Sequence, residues 1–254
     1  MKKLLALLFF VSIMVSCSKD DTTETNNGTN ITANKQVTGS SSHDLLSDDK
    51  YTSMVVELVY VEGYQPTQTA INNFVSFLDS RIYKPGGITV TSRSIPSPGI
   101  SKYTTQNYVD LEDENRIYYN DGNQIAVWAF FTDGAASGDT TTEVTLGTAY
   151  RNTSFIIYEE TVQSLSGGFR QPSTAVLEST VIEHEFGHIL GLVNFGAPMQ
   201  SAHEDADHSR HCDVDTCLMY YAATTGSSLM NVTGGTIPQL DAQCIADLQA
   251  NGGK

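Results

Sequence analysis

Hydrophobic residues along the chain fall into runs of two different periods, and the periods alternate. Residues 54–61 are an apolar, β-branched run of strand length, closed by Gly63 and Pro66. From Thr67 to Tyr83 the apolar positions Ala70, Ile71, Phe74, Val75, Phe77, Leu78 and Ile82 recur at three and four. That spacing predicts a helix, which Pro85-Gly86-Gly87 ends. Residues 88–95 and 124–131 predict further strands, the latter carrying the lone tryptophan, Trp128, and residues 104–116 between them predict a helix. Residues 143–150 and 154–158 predict two more strands on either side of Arg151-Asn152-Thr153. A long helix is expected over residues 174–190, with Ala175, Val176, Leu177, Val181, Ile182, Phe186 and Ile189 as its buried surface. A helix over residues 239–248, with Leu240, Cys244, Ile245 and Leu248 inward, closes the chain. This order predicts an α/β (α+β) fold on a five-stranded mixed sheet, in which strand, helix and strand cross over onto one sheet. Residues 147–150 read either as an exposed edge strand, open to pairing by an extended peptide, or as an ordinary hairpin strand.

The N-terminal 50 residues break both periods. Met1-Lys2-Lys3 precedes an apolar run over residues 4–15, which is too short to span a bilayer and stands where a signal peptide belongs. Met14-Val15-Ser16-Cys17 resembles a bacterial lipoprotein signal, with Met14 where that pattern prefers leucine. The resemblance implies lipidation of Cys17 and an extracytoplasmic protein anchored to the outer membrane or cell surface. The alternative is an ordinary secretory signal cleaved near Ser16. Residues 18–50 are rich in Ser, Thr, Asn and Asp and predict a flexible polar tether. Residues 51–254 are then a single folded domain, expected to be monomeric. The net charge of −15, from 29 acidic and 14 basic residues, excludes the clustered positive surface that nucleic-acid binding needs.

The chemistry concentrates on the long helix near residue 185. His184-Glu185-Phe186-Gly187-His188 places two histidines four apart, one above the other on a single helical face, where both imidazoles can hold one metal ion. Glu185 stands beside the first histidine, placed to take a proton from a metal-activated water without ligating the ion. The motif alone could also be two surface histidines on an amphipathic helix. Gly191 ends the helix and permits a positive φ, so that the chain can turn and bring back a third ligand.

His184-Glu185-Phe186-Gly187-His188-Ile189-Leu190-Gly191 resembles the first eight positions of the metzincin signature, His-Glu-x-x-His-x-x-Gly-x-x-His. The departure comes three residues later, where Asn194 replaces the third histidine. Downstream, His211-Cys212-Asp213-Val214-Asp215-Thr216-Cys217-Leu218-Met219 is similar to the His-Cys-x-x-x-x-Cys-x-Met of archaemetzincins. The resemblance implies a zincin-like catalytic domain and one catalytic Zn²⁺. Residues 192–210 are then an inserted loop before a displaced third ligand, His211, with His208 and then His203 as alternatives. Met219 becomes the Met-turn floor of the site, and Tyr221 an oxyanion-stabilising residue or a pocket wall. Leu229 and Met230 are further candidates for pocket wall.

Three cysteines remain once Cys17 is assigned to lipid. A Cys212–Cys217 disulfide would hold the loop beside His211 and leave Cys244 a buried thiol, and a pairing that includes Cys244 is the alternative. The all-cysteine second zinc site of archaemetzincins needs a later Cys-x-x-Cys that is absent here, so the sequence does not predict that site, and any additional structural metal is left undefined. The function expected from these parts is a zinc-dependent endopeptidase acting on protein or peptide substrates. The competing reading is a catalytically silent zinc-binding surface lipoprotein that acts in binding or adhesion.

Overall fold

Strand β6 (Gln124–Phe131) shows why the sheet lies at the centre, because its apolar residues continue without polar alternation and from Ile125 onward every one is buried. In the computed structural model, which describes residues 25–26, 29–223 and 235–254, both faces of this strand are covered. Ile125, Val127, Ala129 and Phe131 enter one core, while Trp128 and Phe130 enter the other. A short antiparallel pair, β1 (Thr25–Asn26) and β2 (Thr29–Asn30), comes before the sheet, followed by α1 (Ser42–Leu46). The sheet itself comprises β3 (Ser53–Val61), β4 (Ile88–Ile95), β6, β8 (Gly147–Arg151) and β9 (Ser154–Ile157) in the order β4-β3-β6-β9-β8. The first four in that order pair in parallel, and β8 pairs antiparallel with β9 at the edge. Strands β5 (Lys102–Tyr103) and β7 (Ala135–Ala136) form a separate small parallel pair.

Helices α2 (Gln68–Arg81) and α5 (Thr174–Ile189) pack in the larger core, whereas α3 (Thr105–Asn115) lends Tyr108 and Leu111 to the other. Phe74 of α2, Phe155 of β9 and Phe186 of α5 meet edge-on, with ring centroids 5.2–6.4 Å apart. Each such pair contributes roughly 0.5–1.5 kcal/mol beyond its buried area, and together they fix the motif helix against the sheet. Short helix α4 (Glu159–Ser164) follows β9 directly and was not anticipated from periodicity, being only six residues long. The C-terminal helix α6 (Ala242–Ala250) begins three residues later than residue 239, because Asp241 caps it by accepting from the Cys244 amide. Strand β8 also starts later than expected, at Gly147, and it is both a hairpin strand and the sheet edge.

The polar tether expected to reach residue 50 needs correction. Residues 31–50 belong to the folded body: Leu45 and Leu46 are fully buried, and so is Asn34. The Asn34 amide donates to Asn120 Oδ1, Ala126 O and Thr153 Oγ1 at 2.9–3.1 Å, so the fold supplies the partners that make a polar segment buriable. Ser42 Oγ donates to Leu190 O at the end of α5 and accepts from Asn251 Nδ2, which ties the N-terminal segment, the motif helix and the C-terminus together. The signal segment and Cys17 lie outside the described residues, as do Leu229 and Met230.

Candidate metal centre

Helix α5 starts where the Ser173 hydroxyl accepts from the Val176 amide. From Leu177 to Ile189 every residue is buried, so this is a core helix carrying polar groups inward. It stops in a Schellman turn: Leu192 N–H donates to Gly187 O, Gly191 N–H to His188 O, and Gly191 takes φ +78°. The turn sends the chain away from the helix just after His188.

His184, His188 and His211 converge, each offering a nitrogen within 4.8 Å of the others. Their ring centroids are 4.8–5.3 Å apart. His184 Nδ1–H donates to Leu218 O at 2.7 Å, which fixes the tautomer and leaves Nε2 as a lone pair, buried and without a hydrogen-bond partner. His188 Nδ1 is buried without a partner as well. Burial lowers His184 to about 3, helped by the nearby His211, and lowers His188 and His211 too. All three rings are thus neutral at pH 7, the state a metal ligand requires. Orphaned ring nitrogens on neutral imidazoles fit a catalytic His₃ zinc site. Glu185 is buried beside them; burial pushes its carboxyl up to about 8, and a backbone hydrogen bond from Ala149 opposes the shift. Met219 is fully buried, with its sulfur packed under Gly187 between the two helix histidines.

Glu185, His188 and His211 line a cleft of about 520 Å³. Gly147, Thr148 and Ala149 of edge strand β8 form one wall, and Phe195, Asp207, His208, Arg210 and Tyr221 lie along the rest. Tyr221 is therefore a cleft residue, and its ring stacks on His208 with centroids 3.5 Å apart. His208 in turn bonds Asp205 at 2.9 Å, so it is part of the wall, outside the three-histidine cluster.

Asn194, which stands where the signature has histidine, clamps the inserted loop. Its amide donates to Glu204 Oε2 at 3.0 Å, and Glu204 Oε1 accepts the Arg210 backbone N–H at 2.7 Å. Val193, Asn194 and Arg210 all sit at positive φ, between 53° and 67°. Such left-handed residues are held against a local cost by their surroundings, and here the result is that His211 arrives over the motif helix. The Asn194–Glu204–Arg210 link could not be read from the sequence, since loop side chains carry no periodic signal.

His203 is placed elsewhere, and the expected Cys212–Cys217 disulfide is not formed. Cys212, Cys217 and Cys244 are separate buried thiols, of which Cys212 and Cys244 converge on His203. Cys212 Sγ and Cys244 Sγ lie 3.6 and 3.9 Å from His203 Nδ1, and Cys217 Sγ lies 3.7 Å from Cys244 Sγ. The thiols contact one another at hydrogen-bonding rather than covalent distance. Asp241 joins the same group, and His203 Nε2 bonds Asp247 at 2.8 Å, an orientation that leaves Nδ1 toward the sulfurs. Hydrogen bonds from Cys212 and Cys244 pull the Cys217 thiol well down, favouring one thiolate in the cluster. Two sulfurs, an imidazole and the Asp241 carboxylate are a donor set that suits structural zinc, with Cys217 alongside. The signal for it was present in the sequence as Cys212 and Cys244 with an upstream histidine, His203.

No protein-family model matches the sequence, and a search of curated proteins finds no match. The fold is the mixed α/β fold of archaemetzincin-like metallopeptidases. Archaemetzincin from Methanopyrus kandleri is similar in fold, at a TM-score of 0.50 and 19% identity, over 79% of this chain and 96% of that one. Metalloproteinase-II from Bacteroides fragilis also matches, with a TM-score of 0.42 and 16% identity over 81% of this chain; the match spans 54% of that protein.

Proposed function

We propose that this chain is a zinc-dependent endopeptidase, and the observation that carries the reading is the convergence of three neutral imidazoles beside a buried glutamate in an open cleft. His184, His188 and His211 hold the ion, which when bound polarises a substrate carbonyl and acidifies water. An extended peptide lies along the sheet edge at β8, whose residues 147–149 face the same cleft as Glu185. Glu185 accepts the proton of the attacking water and passes it to the leaving amine nitrogen. A positive ion nearby favours the carboxylate form of Glu185 that the first of these steps needs. Tyr221, at the cleft wall, donates its hydroxyl hydrogen to the developing oxyanion.

His203, Cys212, Asp241 and Cys244 would hold a second, structural zinc, which completes the reading. It fixes the segment whose Leu218 carbonyl orients His184. The protein acts as a monomer outside the cytoplasm, tethered through a lipid on Cys17.

Elemental analysis of purified protein is expected to give two zinc ions per chain, one lost on His184→Ala and the other on His203→Ala. Glu185→Ala is expected to retain zinc and lose about 10²–10⁴-fold in peptide hydrolysis. An active Glu185→Ala variant would refute the assignment of the base. Wild-type protein that holds zinc but hydrolyses no peptide would instead favour a silent zinc-binding protein.

A further inference from the structure

Arg210 is the one arginine or lysine among the described residues that line the cleft. Its guanidinium carbon lies 4.1 Å from the centroid of the Phe195 ring, and that ring packs edge-on to His188 at 5.6 Å. A fixed positive charge thus stands one aromatic ring away from a proposed metal ligand. Elsewhere in the chain, Arg93, Arg116 and Arg151 each pair with a carboxylate. The Arg210 guanidinium has no such partner among the described residues. Glu204, its acidic neighbour, is taken up by the Arg210 backbone N–H and by Asn194. Asp207 lines the same cleft and makes no ion pair with Arg210. The backbone of Arg210 is held at φ +67°, so the position of the side chain is set by the loop clamp and by stacking on Phe195.

An unpaired, stacked guanidinium is suited to a planar carboxylate, which it can bind through two parallel N–H donors. The body of the protein carries a net charge of −15 and repels acidic peptides at long range, yet that field is screened within about 8 Å at physiological ionic strength. Contact recognition in the cleft is therefore decided by the local cation. We infer that Arg210 selects peptides that place a carboxylate next to the scissile bond, either an Asp or Glu side chain or the C-terminal carboxylate. This rests on the peptidase reading above and names the substrate class of that site.

The test uses the full, zinc-loaded protein and quenched fluorescent peptides that differ at one position at a time near the cleaved bond, carrying Glu, Gln, Lys or Leu. A matched pair with free and amidated C-termini separates the two sources of carboxylate. Wild type is expected to cleave the best Glu peptide, or the free-acid peptide, about tenfold better in kcat/KM than its Gln or amide counterpart, as one charge-assisted contact implies. Arg210→Ala is expected to erase that ratio while keeping its zinc, and Arg210→Glu to turn the preference toward Lys. Cleavage of neutral peptides with no Glu-to-Gln or acid-to-amide difference overturns the inference alone. An unchanged ratio in Arg210→Ala does the same. Failure of the zinc-loaded wild type to cleave any peptide overturns the peptidase reading and the inference with it.

Discussion

Gly187 stands between the two helix histidines, and a Cβ built there would meet Met219 Sδ at 2.3 Å. A side chain at this position obliges the Met219 thioether to shift within a buried, packed surrounding. Gly187→Ala is expected to destabilise the protein by about 1–3 kcal/mol through overpacking, read as a lower midpoint in denaturant. It is also expected to weaken zinc retention, since His184 and His188 flank the clash. Restoration of both by adding Met219→Ala would show that the thioether is the cause. An unchanged midpoint in Gly187→Ala would contradict the packing. The same scale explains Asn194: a neutral amide is a poor zinc ligand, and here it acts as a clamp on the loop that delivers His211.

At the scale of elements, α5 is tied to its neighbours through buried carboxyls. Glu178 of α5 accepts from the backbone N–H and the hydroxyl of Thr67, the N-cap of α2. Glu159, in the first turn of α4, accepts from Gln163 and lies against Glu178. Burial, reinforced by the charge of Glu178, pushes Glu159 up from 4.5 to about 9. The folded state therefore holds a proton that the unfolded chain releases above about pH 4.5. The stabilisation is complete below that pH and is lost as pH rises toward 9. Thermal denaturation should show a midpoint that falls across this window. Glu159→Gln, which keeps the shape without an ionisable group, is expected to flatten the fall and to raise stability at pH 9 by about 1–3 kcal/mol. A parallel decline in wild type and variant would exclude this pair as the source.

For the whole molecule, the boundary of the folded body matters most. A chain beginning at residue 51 would lose Asn34, Leu45 and Leu46 from the interior, together with the Ser42 contact to the end of α5. Removing two fully buried leucines alone forfeits several kcal/mol, about 2–5 for each, which is comparable to the total stability of a typical domain. Protein truncated at residue 51 is expected to be insoluble or unfolded by circular dichroism, and protein truncated at residue 31 to fold. Equal melting temperatures for the two would show that residues 31–50 are dispensable.

Most of the sheet and its helices were legible in the chain because their signals are local. β4 and β6 begin and end where the apolar runs do, and α2, α3 and α5 differ by a residue or two at their ends. The His-Glu-x-x-His spacing is equally local, since a four-residue step on a helix fixes which side chains share a face. The archaemetzincin-like spacing put His211 ahead of His208 and His203, but a loop has no period of its own to say where each ring goes. Only the tertiary structure sent His211 to the motif helix, His208 to Tyr221 and His203 to the thiols. The same holds for residues 31–50, whose polar composition promised a tether. Asn34 is buried because Asn120, Ala126 and Thr153, some 86 to 119 residues away, satisfy it. Periodicity is written in neighbours along the chain, whereas the partners that satisfy a buried polar group or complete a ligand set come together only when the chain is folded.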